Sequence, residues 1–307
     1  MSANLSVTFL GTGASWPTVE RGLSAIAVKR GGEVILWDCG EGTQRQVQKS
    51  GLSYQQITQI YISHYHGDHC YGVPGLLKTM ELNERDKPLW LYGPPGLGRL
   101  VEAWKALRGW PKEYPVHVQE LRPGDVVQKD GYHVQAYAGD HGIQDLAFAL
   151  QEPDRPGFFD KPKALSLGIP EGPLFGRLQR GETVTTKDGR TFTPEQVVGP
   201  ARPGRRIVFS GDTQPCLGLL EAAVDADLFI CEATFTDDLV EKAREVRHMT
   251  AREAAGIALK AKCRRLVLTH ISPRYKDPAP VLAEARAVFS ETEIADDFLT
   301  VDVEVRR

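Results

Sequence analysis

The segment His64-Tyr65-His66-Gly67-Asp68-His69 follows the apolar run Ile60-Tyr61-Ile62 and decides how the rest of the chain is read. Three imidazoles and a carboxylate in six residues would be costly to pack unpaired, so their clustering just past a strand points to cation binding. A chain that leaves a strand and turns sharply at Gly67 aims His64 and His66 at one point and Asp68 and His69 at a neighbouring point. Three further strand-like runs end in the same way: Val134–Ala138 leads to His141, Ile207-Val208-Phe209 to Asp212, and Leu266-Val267-Leu268 to His270. Together these seven side chains offer enough nitrogen and oxygen ligands for two divalent cations side by side, the ligand set of a binuclear metallohydrolase. His117 and His133 stand alone and carry no such signal.

The 307 residues can bury a large core without covalent staples. A net charge of −3 and a pI near 6.3 exclude a generally basic nucleic-acid coat, so a polyanion would have to meet a local positive patch. The five cysteines never form Cys-x-x-Cys and are odd in number, which disfavours a disulfide framework or a thiolate zinc knot and suits reduced, buried thiols. No run approaches the roughly 18 apolar residues of a membrane span. The expectation is a cytoplasmic protein with no membrane partner.

Strand-like runs at Ser6–Leu10, Ala25–Lys29, Val34–Trp37, Gln59–Ser63, His133–Ala138, Leu146–Leu150, Arg206–Ser210, Asp227–Cys231 and Arg265–Thr269 alternate with helical stretches at Gly42–Gly51, Gly72–Leu82, Gly96–Leu107, Leu217–Ala223 and Thr250–Ala261. Thr250 with Glu253 predicts a capping box. Strands mixed with helices predict α/β layers. The expected organisation is a single domain over residues 1–307, interrupted at 151–204. That stretch holds eight of the chain's 20 prolines and eight of its 30 glycines, with scattered apolar residues, and predicts an inserted arm or long loop with no continuous packed element. From Arg155 to Arg190 it carries seven basic residues against four acidic ones, locally +3 on an acidic protein.

The hexapeptide His64–His69 resembles the His-x-His-x-Asp-His signature of the metallo-β-lactamase superfamily. Leu10-Gly11-Thr12-Gly13-Ala14, Asp38-Cys39-Gly40-Glu41-Gly42-Thr43-Gln44, Ser210-Gly211-Asp212-Thr213, Glu232-Ala233-Thr234 and Thr269-His270-Ile271-Ser272-Pro273-Arg274-Tyr275 are together similar to the ribonuclease Z family of tRNA 3′-processing endonucleases. The resemblance implies a four-layer αβ/βα sandwich with a flexible arm inserted, and two zinc ions per subunit, for which manganese can substitute. His64, His66 and His141 would hold the first ion, and Asp68, His69 and His270 the second, with Asp212 bridging both. It also makes Asp68 the proton acceptor, His248 an additional active-site histidine, and Glu232 its supporting carboxylate. Cys231 stands where the family often has a histidine. It is not among the implied ligands, so the chemistry is untouched.

The activity implied is removal of the 3′ trailer from precursor tRNA, with water as nucleophile and a tRNA 3′-hydroxyl as product. Asp38 is expected to orient a ligand histidine. Gly168-Ile169-Pro170-Glu171-Gly172-Pro173-Leu174 resembles the family's Gly-Pro-rich arm, and Lys161, Lys163, Arg177 and Arg180 are candidate phosphate contacts. The resemblance further implies a homodimer and RNA, not DNA, as the polyanion. Two rivals share part of the pattern. Another hydrolase of this superfamily, acting on a small phosphodiester, a lactam or a thioester, would use His64–His69 without needing the arm. An RNA-binding protein with structural zinc would be expected to close its site with thiolates.

Overall fold

The computed structural model describes residues 3–107 and 109–306. Contacts divide the chain into two compact units, one of residues up to Gln151 with Arg206–Glu304, the other of Glu152–Arg205 with the last residues from Val305.

In the larger unit, Leu5–Gly11 (β1), Ala25–Arg30 (β2), Glu33–Trp37 (β3), Ile57–Tyr61 (β4), Leu89–Gly93 (β5) and Val116–Glu120 (β6) build the first sheet. Val126–Lys129 (β7), Tyr132–Ala138 (β8) and Leu146–Gln151 (β9) open the second. After a hairpin in the smaller unit, Val184–Thr185 (β10) and Thr191–Phe192 (β11), the second sheet resumes with Arg206–Phe209 (β12), Leu228–Glu232 (β13), Leu266–Thr269 (β14) and Thr292–Ile294 (β15). Thr300–Asp302 (β16) returns to the first, giving the orders β16-β1-β2-β3-β4-β5-β6 and β15-β14-β13-β12-β9-β8-β7. β3 to β6 run parallel, as do β12 to β15, and antiparallel strands complete each sheet.

Strands buried on both faces read as near-continuous apolar runs, and here they make three cores. Phe9, Ile35 and Trp37 of the first sheet meet Phe148, Phe209 and Ile230 of the second between the sheets. Val47, Leu76, Leu77 and Val101 cover the outer face of the first sheet from helices Thr43–Ser50, Val73–Leu82 and Leu97–Ala106. Leu219, Ala254, Ala258 and Val281 cover the second from Leu217–Ala223, Ala251–Lys260 and Ala279–Arg286. These are the four αβ/βα layers. The capping box forms as the sequence predicts: the Thr250 hydroxyl accepts from the Glu253 amide and Glu253 accepts from the Thr250 amide. Such a cap contributes about 1 kcal/mol and fixes where the helix after His248 begins. All five cysteines are free, and Cys216 alone of them is not fully buried. No helix among the described residues is long and apolar enough to cross a membrane.

The smaller unit corrects the expectation of an unpacked loop. Its scattered apolar residues Ala164, Ile169, Leu178, Val184, Phe192 and Val197 converge on one small core, supported by helices Lys161–Ser166 and Pro173–Gln179 and by the β10–β11 hairpin. Prolines sit in the first turn of both helices, where a missing N–H costs nothing, so proline content misled the reading. At its base the buried Arg205 guanidinium grips Glu152 with two bonds, 2.6 and 2.8 Å. Gln151 and Arg206, the flanking residues, are direct partners across β9 and β12.

Candidate active site

Parallel strands bring their carboxyl ends to one edge, and the reactive side chains occupy those ends. Asp38 follows β3, His64 follows β4, Asp212 follows β12, Glu232 closes β13 and His270 follows β14. His141 lies beyond β8, and Asp68 and His69 sit in the one-turn helix Gly67–Cys70. Eight non-glycine residues have positive φ among the described residues, and Ser15, Asp38, Arg247 and His270 of that group each bond to, or are, part of this cluster. Left-handed conformations cost about 1–3 kcal/mol each and persist only where surrounding bonds over-determine them. Gly40 has a close-approach role: a Cβ there would lie 2.3 Å from the Asp68 carbonyl oxygen.

Two ligand groups lie side by side. His64 Nε2 is 3.0 Å and His141 Nε2 3.2 Å from His66 Nδ1. Beside them, Asp212 Oδ2 stands 3.1 Å from His69 Nε2 and 3.3 Å from His270 Nε2, with Asp68 Oδ2 3.6 and 3.5 Å from the same two nitrogens. Asp212 Oδ2 also reaches within 3.9 Å of His64 Nε2 and of His141 Nε2, so it faces both groups.

The outer nitrogens decide what the inner ones can do. His141 Nδ1 donates to the Arg247 carbonyl oxygen at 2.9 Å, which leaves a bare lone pair on Nε2 when the ring is neutral. His69 Nδ1 donates to Asp38 Oδ2 at 2.6 Å, and its buried Nε2 has no hydrogen-bond partner. Burial, then the neighbouring imidazoles, hold His64 well below the ordinary histidine range, and burial with His141 lowers His66, so both stay neutral. Burial acts to lower His69, but Asp212 and Asp38 win and raise it well above the ordinary histidine range, so the site calls for positive charge among its carboxylates; a cation supplies it, and the mixed imidazole and carboxylate donors suit zinc or manganese. The residues present therefore fit a pair of metal ions.

His248 sits at the rim. Its ring centroid lies 4.7 Å from that of His141 and 5.2 Å from that of His270. Glu232, wholly buried, braces it: Oε1 accepts from His248 Nδ1 at 2.8 Å and from the Thr213 amide at 2.7 Å. Oε2 accepts from the Thr234 hydroxyl at 2.7 Å, and that oxygen is 3.0 Å from His270 Nδ1. A cavity of about 700 Å3 opens beside His141, lined also by Arg122, Asp140, Ile143 and Arg247.

Two family descriptions match parts of the chain, the Anti-Pycsar protein Apyc1 over residues 5–112 and the beta-lactamase superfamily domain over residues 183–271. Over almost its full length the chain is 49% identical to ribonuclease Z of Myxococcus xanthus, across 98% of this chain and 99% of that protein. It belongs to the ribonuclease Z family. Among solved structures, the human short-form tRNase Z superposes with a TM-score of 0.70 at 29% identity, covering 98% of this chain and all of the other. The metallo-beta-lactamase fold protein YhfI from Bacillus subtilis shares the fold, with a TM-score of 0.71 at 18% identity over 98% and 99% of the two chains.

The ribonuclease Z signature residues named from the sequence, His64, His66, Asp68, His69, His141, Asp212, His248, Glu232 and His270, come together here, and Asp38 meets the His69 ring. Cys231 points elsewhere, its Sγ 3.6 Å from Met249 Sδ. His117 lies against Trp90 on the exposed edge strand β6. In the smaller unit Lys161 pairs with Glu171, and Arg177 and Arg180 both pair with Glu182, so three of the four proposed phosphate contacts already have surface carboxylate partners. Sequence reading missed Asp145, Thr234, the Ser15 amide that donates to Asp68 Oδ2 at 2.9 Å, and the Arg247 carbonyl. Thr234 could have been found: it stands two residues after Glu232 in a quoted motif.

Proposed function

We propose that the chain is a metal-dependent endoribonuclease that cuts the 3′ trailer from precursor tRNA and leaves a 3′-hydroxyl. The observation that carries this reading is the juxtaposition, in a member of the ribonuclease Z family, of two adjacent groups of candidate ligands with the His248–Glu232 pair. His64, His66 and His141 would hold one zinc ion and Asp68, His69 and His270 a second, with Asp212 available to both and manganese an alternative occupant. When bound, such a pair of cations makes water acidic enough to attack at neutral pH and stabilises the oxygens of an in-line displacement.

The chain's own groups do the rest. Ser15's amide fixes Asp68 Oδ2, which leaves Oδ1 to take the proton of the attacking water. Glu232 holds His248 through Nδ1, so the other ring nitrogen is turned to the departing ribose oxygen, to which it supplies a proton. The cavity beside His141 takes a nucleotide adjoining the scissile phosphate, with Arg122 and Arg247 for its charge. The unit formed by Glu152–Arg205 grips the tRNA body through Lys161, Lys163, Arg177 and Arg180, exchanging carboxylate partners for phosphates at little cost because surface pairs are weak. The working assembly is a cytoplasmic homodimer in which one subunit's arm serves the other's centre.

The test is cleavage of an end-labelled precursor tRNA with and without a chelator, with the new 3′ end mapped. A cut at the trailer boundary, lost with chelator and restored by zinc or manganese, is expected. Cleavage indifferent to chelator, or hydrolysis of small phosphodiesters with none of the precursor, would overturn the reading.

A further inference from the structure

Asp145, immediately ahead of β9, is 3% exposed, and neither of its carboxyl oxygens has an aligned hydrogen-bond donor, the Asp212 amide lying nearby. A buried carboxyl group without aligned hydrogen-bond partners costs free energy in either protonation state, so its presence needs a physical reason. The fold has made room for it on two sides. A Cβ at Gly139 would lie 2.1 Å from Oδ2, and a Cβ at Gly211, which has φ of +62°, would lie 2.7 Å from Oδ1. Next to it is His64, with Nδ1 3.2 Å from Asp145 Oδ1, close but not aligned as a hydrogen bond.

The other ligand rings supply the comparison. The outward Nδ1 of His69 faces Asp38, that of His141 faces the Arg247 carbonyl, and that of His270 faces Thr234. Each acceptor fixes which nitrogen points inward. His64 Nε2 points inward to His66, and its Nδ1 has two neighbours, the Ser63 hydroxyl at 3.0 Å and Asp145. The Ser63 hydroxyl is committed as a donor to Asp38 Oδ2 at 3.0 Å, so it is a neutral and shared acceptor. Asp145 supplies the carboxyl group. The second ligand group has such a group behind it in Asp38, and the first would lack one without Asp145.

We propose that Asp145 is a positioning residue for the first metal site, its carboxylate accepting the Nδ1–H of His64 and thereby holding Nε2 on the ion. This rests on the reading of the centre as metal-binding. A cation held by His64 also explains why the carboxylate is retained, because positive charge one imidazole away offsets its burial.

The test uses zinc alone, titrated into the metal-free full-length protein in competition with a chromogenic chelator, for the parent, Asp145→Ala and Asp145→Asn. In Asp145→Ala one bound equivalent weakens by about 10–100-fold while the other keeps its affinity, and Asp145→Asn, whose carbonyl oxygen can still accept, recovers part of the loss. Urea unfolding separates this from a merely structural role: metal-free Asp145→Asn is about as stable as the metal-free parent, since asparagine keeps the shape and an acceptor oxygen of the carboxyl, but zinc stabilises it less. Parent-like affinity for both equivalents, or metal-free Asp145→Asn destabilised as much as the loaded form, overturns the proposal. A parent that binds no zinc would instead overturn the reading of the centre itself.

Discussion

Replacing Glu232 with glutamine tests the proton-handling half of the site. Burial acts to lower His248, but the charge and hydrogen bond of Glu232, followed by the charge of Asp212, win and raise it from 6.5 to about 9. A group that donates a proton must carry one, so turnover is expected to fall as pH rises through that value. Glu232→Gln keeps the shape of the side chain and removes its charge, so the alkaline limb of the kcat profile moves down by about two pH units towards the ordinary histidine value. Glutamine also presents an amide NH2 either to the Thr213 amide and His248 or to Thr234 and Met249, a donor facing donors, which costs about 1–3 kcal/mol. In the metal-free protein the ion pair itself is a stability term. With the folded value raised, it is fully present below about pH 6.5 and is lost as pH climbs through about 9, on the order of 3 kcal/mol in total. The assays are single-turnover cleavage from pH 6 to 10 and urea unfolding at its two ends. A uniform loss of rate with the alkaline limb unmoved would refute the proton-carrying role of His248.

His248→Ala should slow cleavage by about 100-fold or more while leaving bound zinc unchanged by elemental analysis, because the ring donates to chemistry and is not among the proposed ligands. Asp38→Ala strips the acceptor from His69 Nδ1 and from the Ser63 amide at 2.8 Å, both buried, and should cost the metal-free protein about 3–5 kcal/mol in urea unfolding, with weakened zinc binding; a loss under about 1 kcal/mol would contradict the geometry. Excising Glu152–Arg205 and closing Gln151 to Arg206 with Asn-Gly should raise KM for precursor tRNA but spare hydrolysis of a small phosphodiester.

The clustered histidines and aspartates were legible because four of the seven share the segment His64–His69 and the other three each follow a strand, so local pattern and chemistry agreed. Strands β8, β9, β12, β13 and β14 were found within two residues for the same reason. β6, Val-His-Val-Gln-Glu, was missed because it is an exposed edge strand with no buried face to impose alternation. Helix Val240–Val246 buries only Ala243, and so leaves no apolar stripe to read. The smaller unit's core comes from residues too far apart in sequence for any periodicity to join them. Asp145 was invisible for a different reason: an aspartate before a strand reads as a turn residue, and only three-dimensional placement shows it buried against the His64 imidazole.

The direct pairing of Gln151 with Arg206 means that the chain departs from the catalytic layers and rejoins them at neighbouring points of one ladder. A hairpin mouth of this kind tolerates replacement cargo of almost any length, since closing the ends asks nothing of the insert except that they meet. If the inserted unit grips the substrate as proposed, the frame can thus serve as a chassis, and exchanging the insert is expected to redirect the enzyme to other structured RNAs while its reactive edge is left as it stands.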